Sequence, residues 1–303
     1  MVKPRPIVFG EVLFDVFDGT DAKLGGAPFN VAWHLKGFGE DPIFVSRIGD
    51  DKNGEIVSET MRKWGMDLSG VQLDKENPTG VVEVSLKNAQ ATFNIPDKQA
   101  YDFIQNNSFL RSLASSEVNA VYHGSLALRS DINLKTLSDL KNRLKPFIFS
   151  DLNLRNPWWN LSGIKEIVSK SDAVKLNDDE ISRITGVDRL SDEEILSQAQ
   201  NLCNEYNLRF VVVTKGKDGS SIVEKNGNVL NVTQVEVSSL VDTVGAGDSF
   251  ASVVILGILR KWDLLDTIKR ASEFASRICS VRGALLSEKE LYSDLLRKWR
   301  KEK

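Results

Sequence analysis

Short runs of hydrophobic residues alternate along most of the chain with longer segments in which hydrophobic positions recur every three or four residues. The runs at 7–9, 43–48, 120–122, 146–150, 173–176 and 210–214 have the length and branching of buried strands. Segments 30–37, 132–144 and 192–206 have helical spacing, with Val31, Ala32 and Leu35 sharing one face of the first. This alternation predicts a layered α/β fold, a largely parallel sheet with helices over both faces.

Residues 71–95 break the rhythm. Gly80-Val81-Val82-Glu83-Val84-Ser85-Leu86 alternates at period two, Lys87-Asn88-Ala89 reads as a turn, and Thr92-Phe93-Asn94-Ile95 as a returning strand. With 12–17 as a third strand, the segment forms either a small sheet that covers a cleft as a lid or a meander at the main sheet's edge. The lid reading divides the chain into an α/β/α body (1–11, 25–69 and 100–303) and a β lid (12–24 and 70–99).

Composition narrows the partners. A chain of 303 residues with 41% hydrophobic content can bury the core of one large domain and a small subdomain. Its 39 basic and 42 acidic residues are interspersed, which argues against a nucleic-acid or anionic-membrane partner. The apolar start is cut by Glu11 and Asp15, unlike a signal peptide, and the stretch 250–259, broken by Ser252 and Gly257, is too short to span a bilayer core of roughly 30 Å. A soluble, cytoplasmic protein is expected. Cys203 and Cys279 lie far apart in helical segments and read as reduced, buried thiols.

The run Asp242-Thr243-Val244-Gly245-Ala246-Gly247-Asp248 precedes a strongly helical segment. Gly245, Ala246 and Gly247 let backbone N–H groups converge, and the positive end of the helix dipole adds to the attraction for an anion. Asp248, in the first turn, is placed to take a proton from an attacking hydroxyl. A Gly-rich connection with an Asp N-cap is the competing reading. Near the N-terminus, Gly25-Gly26-Ala27-Pro28-Phe29-Asn30 leads into the first long helix, where Asn30 either caps the helix or presents its amide to a hydroxyl ligand. Asp15 follows the first strand, at the carboxyl edge where α/β proteins bind ligands.

Three further segments follow strands. Arg155 either neutralises a transferring phosphoryl group or is a surface arginine. Asn177 and Glu180 open a helix and either organise a hydrated magnesium ion or form a capping box. Lys215-Gly216-Lys217-Asp218-Gly219, after Thr214, is either a hairpin turn or a contact for a nucleotide's phosphates and ribose.

In this order these segments resemble the ribokinase, or PfkB-type, family of carbohydrate kinases over nearly the whole chain. The resemblance implies a Rossmann-like three-layer α/β/α fold of ribokinase type with a small β-sheet lid, ATP as phosphoryl donor and a sugar hydroxyl as acceptor. It implies Asp248 as catalytic base, the amides of Gly245, Ala246 and Gly247 as an anion hole, and Arg155 reaching towards the sugar or the γ-phosphate. Asp15, Gly25, Gly26 and Asn30, with Phe93 from the lid, would hold the sugar. Asn177 and Glu180 would position Mg2+ and phosphate, and Thr214, Gly216 and Gly219 would face the nucleotide. A monovalent-cation site, typically K+, is implied at Asp242, Val244, Ile278, Val281, Gly283 and Ser287.

The opening Gly10-Glu11-Val12-Leu13-Phe14-Asp15 resembles fructokinases and 2-keto-3-deoxygluconate kinases more than ribokinases or adenosine kinases. Conversion of fructose to fructose 6-phosphate is the reading preferred, with 2-keto-3-deoxygluconate kinase and ribokinase as alternatives. Phe14, Phe29 and Phe93 form either an apolar wall behind a neutral sugar or part of the core. A nicotinamide-dependent oxidoreductase fits the alternation but lacks the GxGxxG turn. A catalytically silent sugar sensor would have no use for Asp248. Sugar and ATP are the expected partners, without nucleic acid or membrane, and apolar faces on the lid strands would suit a lid-to-lid homodimer.

Overall fold

The computed structural model describes residues 3–17, 21–87, 90–187, 190–233 and 240–301. Its strands are β1 (Arg5–Phe9), β2 (Leu13–Phe17), β3 (Asp21–Gly25), β4 (Ile43–Gly49), β5 (Val71–Asp74), β6 (Gly80–Lys87), β7 (Gln90–Asn94), β8 (Val118–Gly124), β9 (Phe147–Asp151), β10 (Ala173–Asn177), β11 (Phe210–Thr214), β12 (Ser220–Glu224) and β13 (Val229–Val232). Its helices are α1 (Ala27–Gly37), α2 (Lys52–Trp64), α3 (Ser108–Ser112), α4 (Asp131–Leu144), α5 (Leu161–Ser169), α6 (Asp178–Thr185), α7 (Asp192–Tyr206), α8 (Ala246–Arg260), α9 (Leu264–Ile278) and α10 (Lys289–Lys301). Among the described residues no helix is long and apolar enough to cross a membrane.

One sheet runs in the order β13-β12-β11-β10-β9-β8-β1-β4-β5. Pairing is parallel from β5 to β11, and β12 and β13 extend it antiparallel at one edge. Because successive side chains of a strand point to opposite faces, the parallel strands feed two cores. Val8, Phe44, Tyr122 and Phe149 pack with α1, α2, α8, α9 and α10, while Ile7, Phe9, Val45, Val121 and Ile148 pack with α4 to α7. This is the three-layer α/β/α arrangement that the alternation predicts. Helix α8 is buried without a break from Ser249 to Gly257, which suits its place between α1 and α9.

A second sheet has the order β3-β2-β6-β7. Strand β2 runs antiparallel to β3 and parallel to β6, and β6 and β7 form the antiparallel hairpin that the period-two pattern predicts. Asn88 and Ala89 of the expected turn, and the side chain of Phe93, lie outside the described residues. The root of this sheet packs Leu13, Val82, Val84 and Ile95 against Tyr101, Leu126 and Ala127 of the body.

One expectation changes, and one open choice is decided. Residues 71–74, read as lid, form β5, which pairs with β4 (Ser46↔Val71 to Gly49↔Asp74) and ends the main sheet. Its alternation resembles that of the small sheet, but long-range contacts decide its place. Asp74 is buried against Arg47 Nε at 2.7 Å, and its carbonyl accepts the Asp50 N–H. Phe14 and Phe29 belong to the core; Phe29 is fully buried, edge-on to Phe44 with ring centroids 5.5 Å apart.

Candidate active site

The carboxyl ends of the central strands lie side by side: Gly124 is paired with Asp151, Asp151 with Lys175, and Asn177 with Thr214. Helix α8 begins against this edge, since a side-chain carbon at Gly247 would lie 3.6 Å from Lys175 Nζ. Gly245 takes the N-cap position with φ +79°, and a Cβ there would strike Ala284, so only glycine fits. Among the described residues no side chain caps α8. The Asp-cap reading is therefore corrected: Asp248 lies inside the first turn, and its Oδ2 accepts Asn30 Nδ2 at 2.6 Å. Of the three anion-hole amides foreseen, that of Ala246 is already engaged, donating to Thr243 O at 3.2 Å. The uncapped helix start still offers N–H groups and dipole to an anion.

Asn30 is not the cap of α1 either. Gly26 holds that position, with φ +107°, and its carbonyl accepts the Asn30 N–H at 2.9 Å. The Asn30 side chain is buried, bonded to Asp248 through nitrogen, and its Oδ1 has no partner among the described residues. A Cβ at Gly25 would lie 3.6 Å from Asp15 Oδ2 and 3.8 Å from Asn30 Oδ1, so that glycine keeps open the space the two oxygens face. A buried acceptor without a donor, beside two carboxylates, suits a polyhydroxyl ligand.

The acids here hold protons tightly. Burial pushes Asp248 above the usual carboxylate range; the Asn30 hydrogen bond opposes the shift, Asp151 adds to it, and Lys175 and Arg155 oppose it. Burial raises Asp15 to about 6, with Arg155 opposing and Asp248 reinforcing the shift. Arg155 stands on an exposed loop, yet its charge reaches both acids. Behind them Glu11 is buried, its Oε2 without a partner among the described residues, and burial together with Asp248 raises it to about 7 against backbone N–H groups and Arg129.

Between this cluster and the next strand lies a buried ion pair, Lys175 Nζ to Asp151 Oδ1 at 2.8 Å, with the Tyr122 hydroxyl donating to Asp151 Oδ2 at 3.2 Å. Burial disfavours the Lys175 ammonium, but Asp151 and Glu180 outweigh it and raise its proton affinity. Asn177 and Glu180 form a reciprocal capping box: Asn177 Oδ1 accepts the Glu180 N–H and Glu180 Oε2 the Asn177 N–H, each at 2.8 Å. Glu180 Oε1 also accepts the Leu154 N–H at 3.0 Å, which anchors the loop leading to Arg155. Thr214 leads into a tight turn, Gly216–Asp218, that joins β11 to antiparallel β12, so the hairpin reading holds there. Gly216 and Gly219 have φ +50° and +95°.

At the start of the 242–248 run, Asp242 ties two loops together. Its Oδ1 accepts the Val244 N–H at 3.0 Å and its Oδ2 the Gly283 N–H at 3.2 Å. Val281 N–H donates to Ile278 O, and Ser287 is exposed beyond the loop. Sequence reasoning missed Glu11 and Lys175 as members of the site. A signal existed for Lys175: a lysine within the apolar run Ala173-Val174-Lys175-Leu176 requires a buried partner.

The family model for the pfkB family carbohydrate kinases matches residues 18–291. An uncharacterized sugar kinase of Pyrococcus horikoshii is 30% identical over 289 residues, 91% of this chain and 90% of its own. Fructokinase-2 of Solanum lycopersicum is 27% identical over 312 residues, 94% of this chain and 90% of its own. The crystal structure of a Vibrio cholerae fructokinase double mutant with fructose, ADP and potassium bound has a TM-score of 0.82 and covers 97% of this chain and 98% of its own; at 24% identity it shows a shared fold.

Proposed function

Because the chain belongs to the pfkB family of carbohydrate kinases and is therefore a sugar phosphotransferase, we propose that it transfers the γ-phosphoryl group of ATP to a hydroxyl of fructose, with Asp248 as general base. The observation that carries this reading is the Asn30–Asp248 bond at 2.6 Å. It holds a proton acceptor at an uncapped helix start, where an anion is favoured and a hydroxyl ligand has acceptors nearby.

In this reading the sugar lies between Gly25, Asp15 and Asn30, and its reacting hydroxyl gives its proton to Asp248. Amides at the start of α8 stabilise the charge on the transferring group, and Arg155 approaches from the opposite loop. The adenine nucleotide lies along Thr214, Gly216 and Gly219. Mg2+ bound with the nucleotide neutralises phosphate charge. Both Glu180 oxygens already accept main-chain N–H groups, so Asn177 and Glu180 fit such an ion through its water shell. K+ would lie at the loops that Asp242 joins, where main-chain carbonyls of Val244, Val281 and Gly283 would supply the oxygen donors that suit it.

Fructose is favoured over a sugar acid by charge. Asp15 and Asp248 lie at the sugar end with proton affinities already raised, and a substrate carboxylate beside them would raise these further, a cost that neutral fructose avoids. The tomato relative's name agrees with this choice. ATP turnover with fructose, ribose and 2-keto-3-deoxygluconate tests it. Fructose should lead in kcat/KM by at least about tenfold; a lead for 2-keto-3-deoxygluconate would overturn the substrate while leaving the phosphotransferase.

A further inference from the structure

Away from this site, where α4 and α5 cover the sheet, a second group of polar side chains is buried together. His123 on β8 is fully buried, and its Nδ1 lies 3.0 Å from Gly124 O, which fixes that nitrogen as the donor and Nε2 as an acceptor. Lys141 Nζ of α4 and Ser150 Oγ of β9 both reach Nε2 at 2.9 Å. Ser150 also meets Ser171 Oγ at 2.6 Å, and Ser171 donates to Ile167 O. The cluster asks only one N–H of Lys141. Lys170 is paired with Glu166 and Asp172 with Arg209, and no described carboxylate forms an ion pair with Lys141.

Lys141 is partly exposed, at a narrow cleft lined by Leu128, Leu134, Leu137, Ser138, Glu166 and Lys170. The cleft holds about 20 Å³, room for a group about the size of one water, and opens to solvent, so it takes the acyl end of a small reagent whose phosphate stays outside, and no sugar or nucleotide. Burial, reinforced by Lys170 and opposed by Asp172, lowers the ammonium from the ordinary lysine range to about 7. His123 stays neutral, because burial and Lys141 both act against its protonation. A buried amine that faces a neutral imidazole in place of a carboxylate is held with a free lone pair at physiological pH.

We infer that Lys141 is a covalent modification site, acylated by small activated acyl groups such as acyl phosphates that reach it through the cleft between α4 and α5. The amine attacks the carbonyl carbon, a C–N bond forms as the C–O bond to phosphate breaks, and the amine proton leaves with the phosphate. The resulting amide keeps one N–H, the number that His123 Nε2 requires, so the buried cluster remains satisfied after acylation.

The test exposes the full chain to acetyl phosphate at several pH values and follows acetylation of each lysine by mass spectrometry. Lys63, 80% exposed, is the internal reference. At pH 7.5 Lys141 should react about tenfold faster than Lys63, because its larger free-amine fraction outweighs its lower intrinsic nucleophilicity. Its rate should level off above about pH 8, where an amine of ordinary proton affinity would keep gaining about tenfold per pH unit. A Lys141 that reacts no faster than Lys63, or with the same pH slope, would overturn the assignment.

Discussion

Asn30 Nδ2 donates to Asp248 Oδ2 across 2.6 Å, joining residues 218 positions apart. This bond fixes the carboxylate in the first turn of α8 to α1, and it lowers the proton affinity that burial raises in Asp248. Asn30→Ala should therefore raise the sugar KM more than the ATP KM and move the acid limb of the kcat/KM profile to higher pH. No helix cap is lost, since Gly26 holds that position. Equal effects on both substrates, with an unmoved acid limb, would remove Asn30 from the sugar site.

Arg155→Ala should leave folding unchanged, because the side chain is exposed, and lower kcat by about 10²-fold if it stabilises charge on the phosphoryl group. Thermal melts and initial rates on the same sample separate the two. A change in KM alone would limit Arg155 to sugar binding.

Glu11 gives stability a pH dependence of defined sign. Its proton affinity rises from 4.5 to about 7 on folding, so between these values the folded state binds more protons than the unfolded one. The stabilisation is full below 4.5 and is lost as pH rises through 7, about 3 kcal/mol across the window. Melting temperature followed from pH 4.5 to 7.5 should fall more steeply in the native chain than in Glu11→Gln. Parallel curves would show that Glu11 is ionised throughout.

Lys175→Met strands Asp151 as a buried, unpaired charge and should destabilise the fold by about 3–5 kcal/mol in urea titrations. Adding Asp151→Leu should recover most of that loss. If the double variant is as unstable as the single one, the pair is not coupled.

The residues that sequence could place are those whose chemistry is local. The apolar runs and helical spacing give the alternation directly, and the glycines before Asn30 and Asp248 mark backbone that must pass close to something. What sequence could not give depends on distant partners. Strand β5 and the small sheet share one alternating pattern, and it is contacts with distant residues, the β4 ladder and the Asp74–Arg47 pair among them, that assign β5 to the body. Asp is a common N-cap, so the sequence leaves an Asp cap for α8 as a competing reading, whereas Ala284 beside Gly245 selects a glycine there. Lys175 finds its counter-ion 24 residues earlier, on the neighbouring strand, where no local motif points. Glu11 lies within a segment read for its substrate resemblance, and its burial beside Asp248 is a property of the tertiary structure.

The central claim is that Asp248 takes the proton from the sugar hydroxyl. Asp248→Asn tests it most directly, through steady-state turnover measured together with ATP binding. The asparagine is nearly isosteric and keeps an oxygen to accept the Asn30 amide, so fold and nucleotide affinity should persist while kcat falls by roughly 10²–10⁴-fold. Retained turnover, or a loss of ATP affinity large enough to account for the fall, would contradict Asp248 as the base.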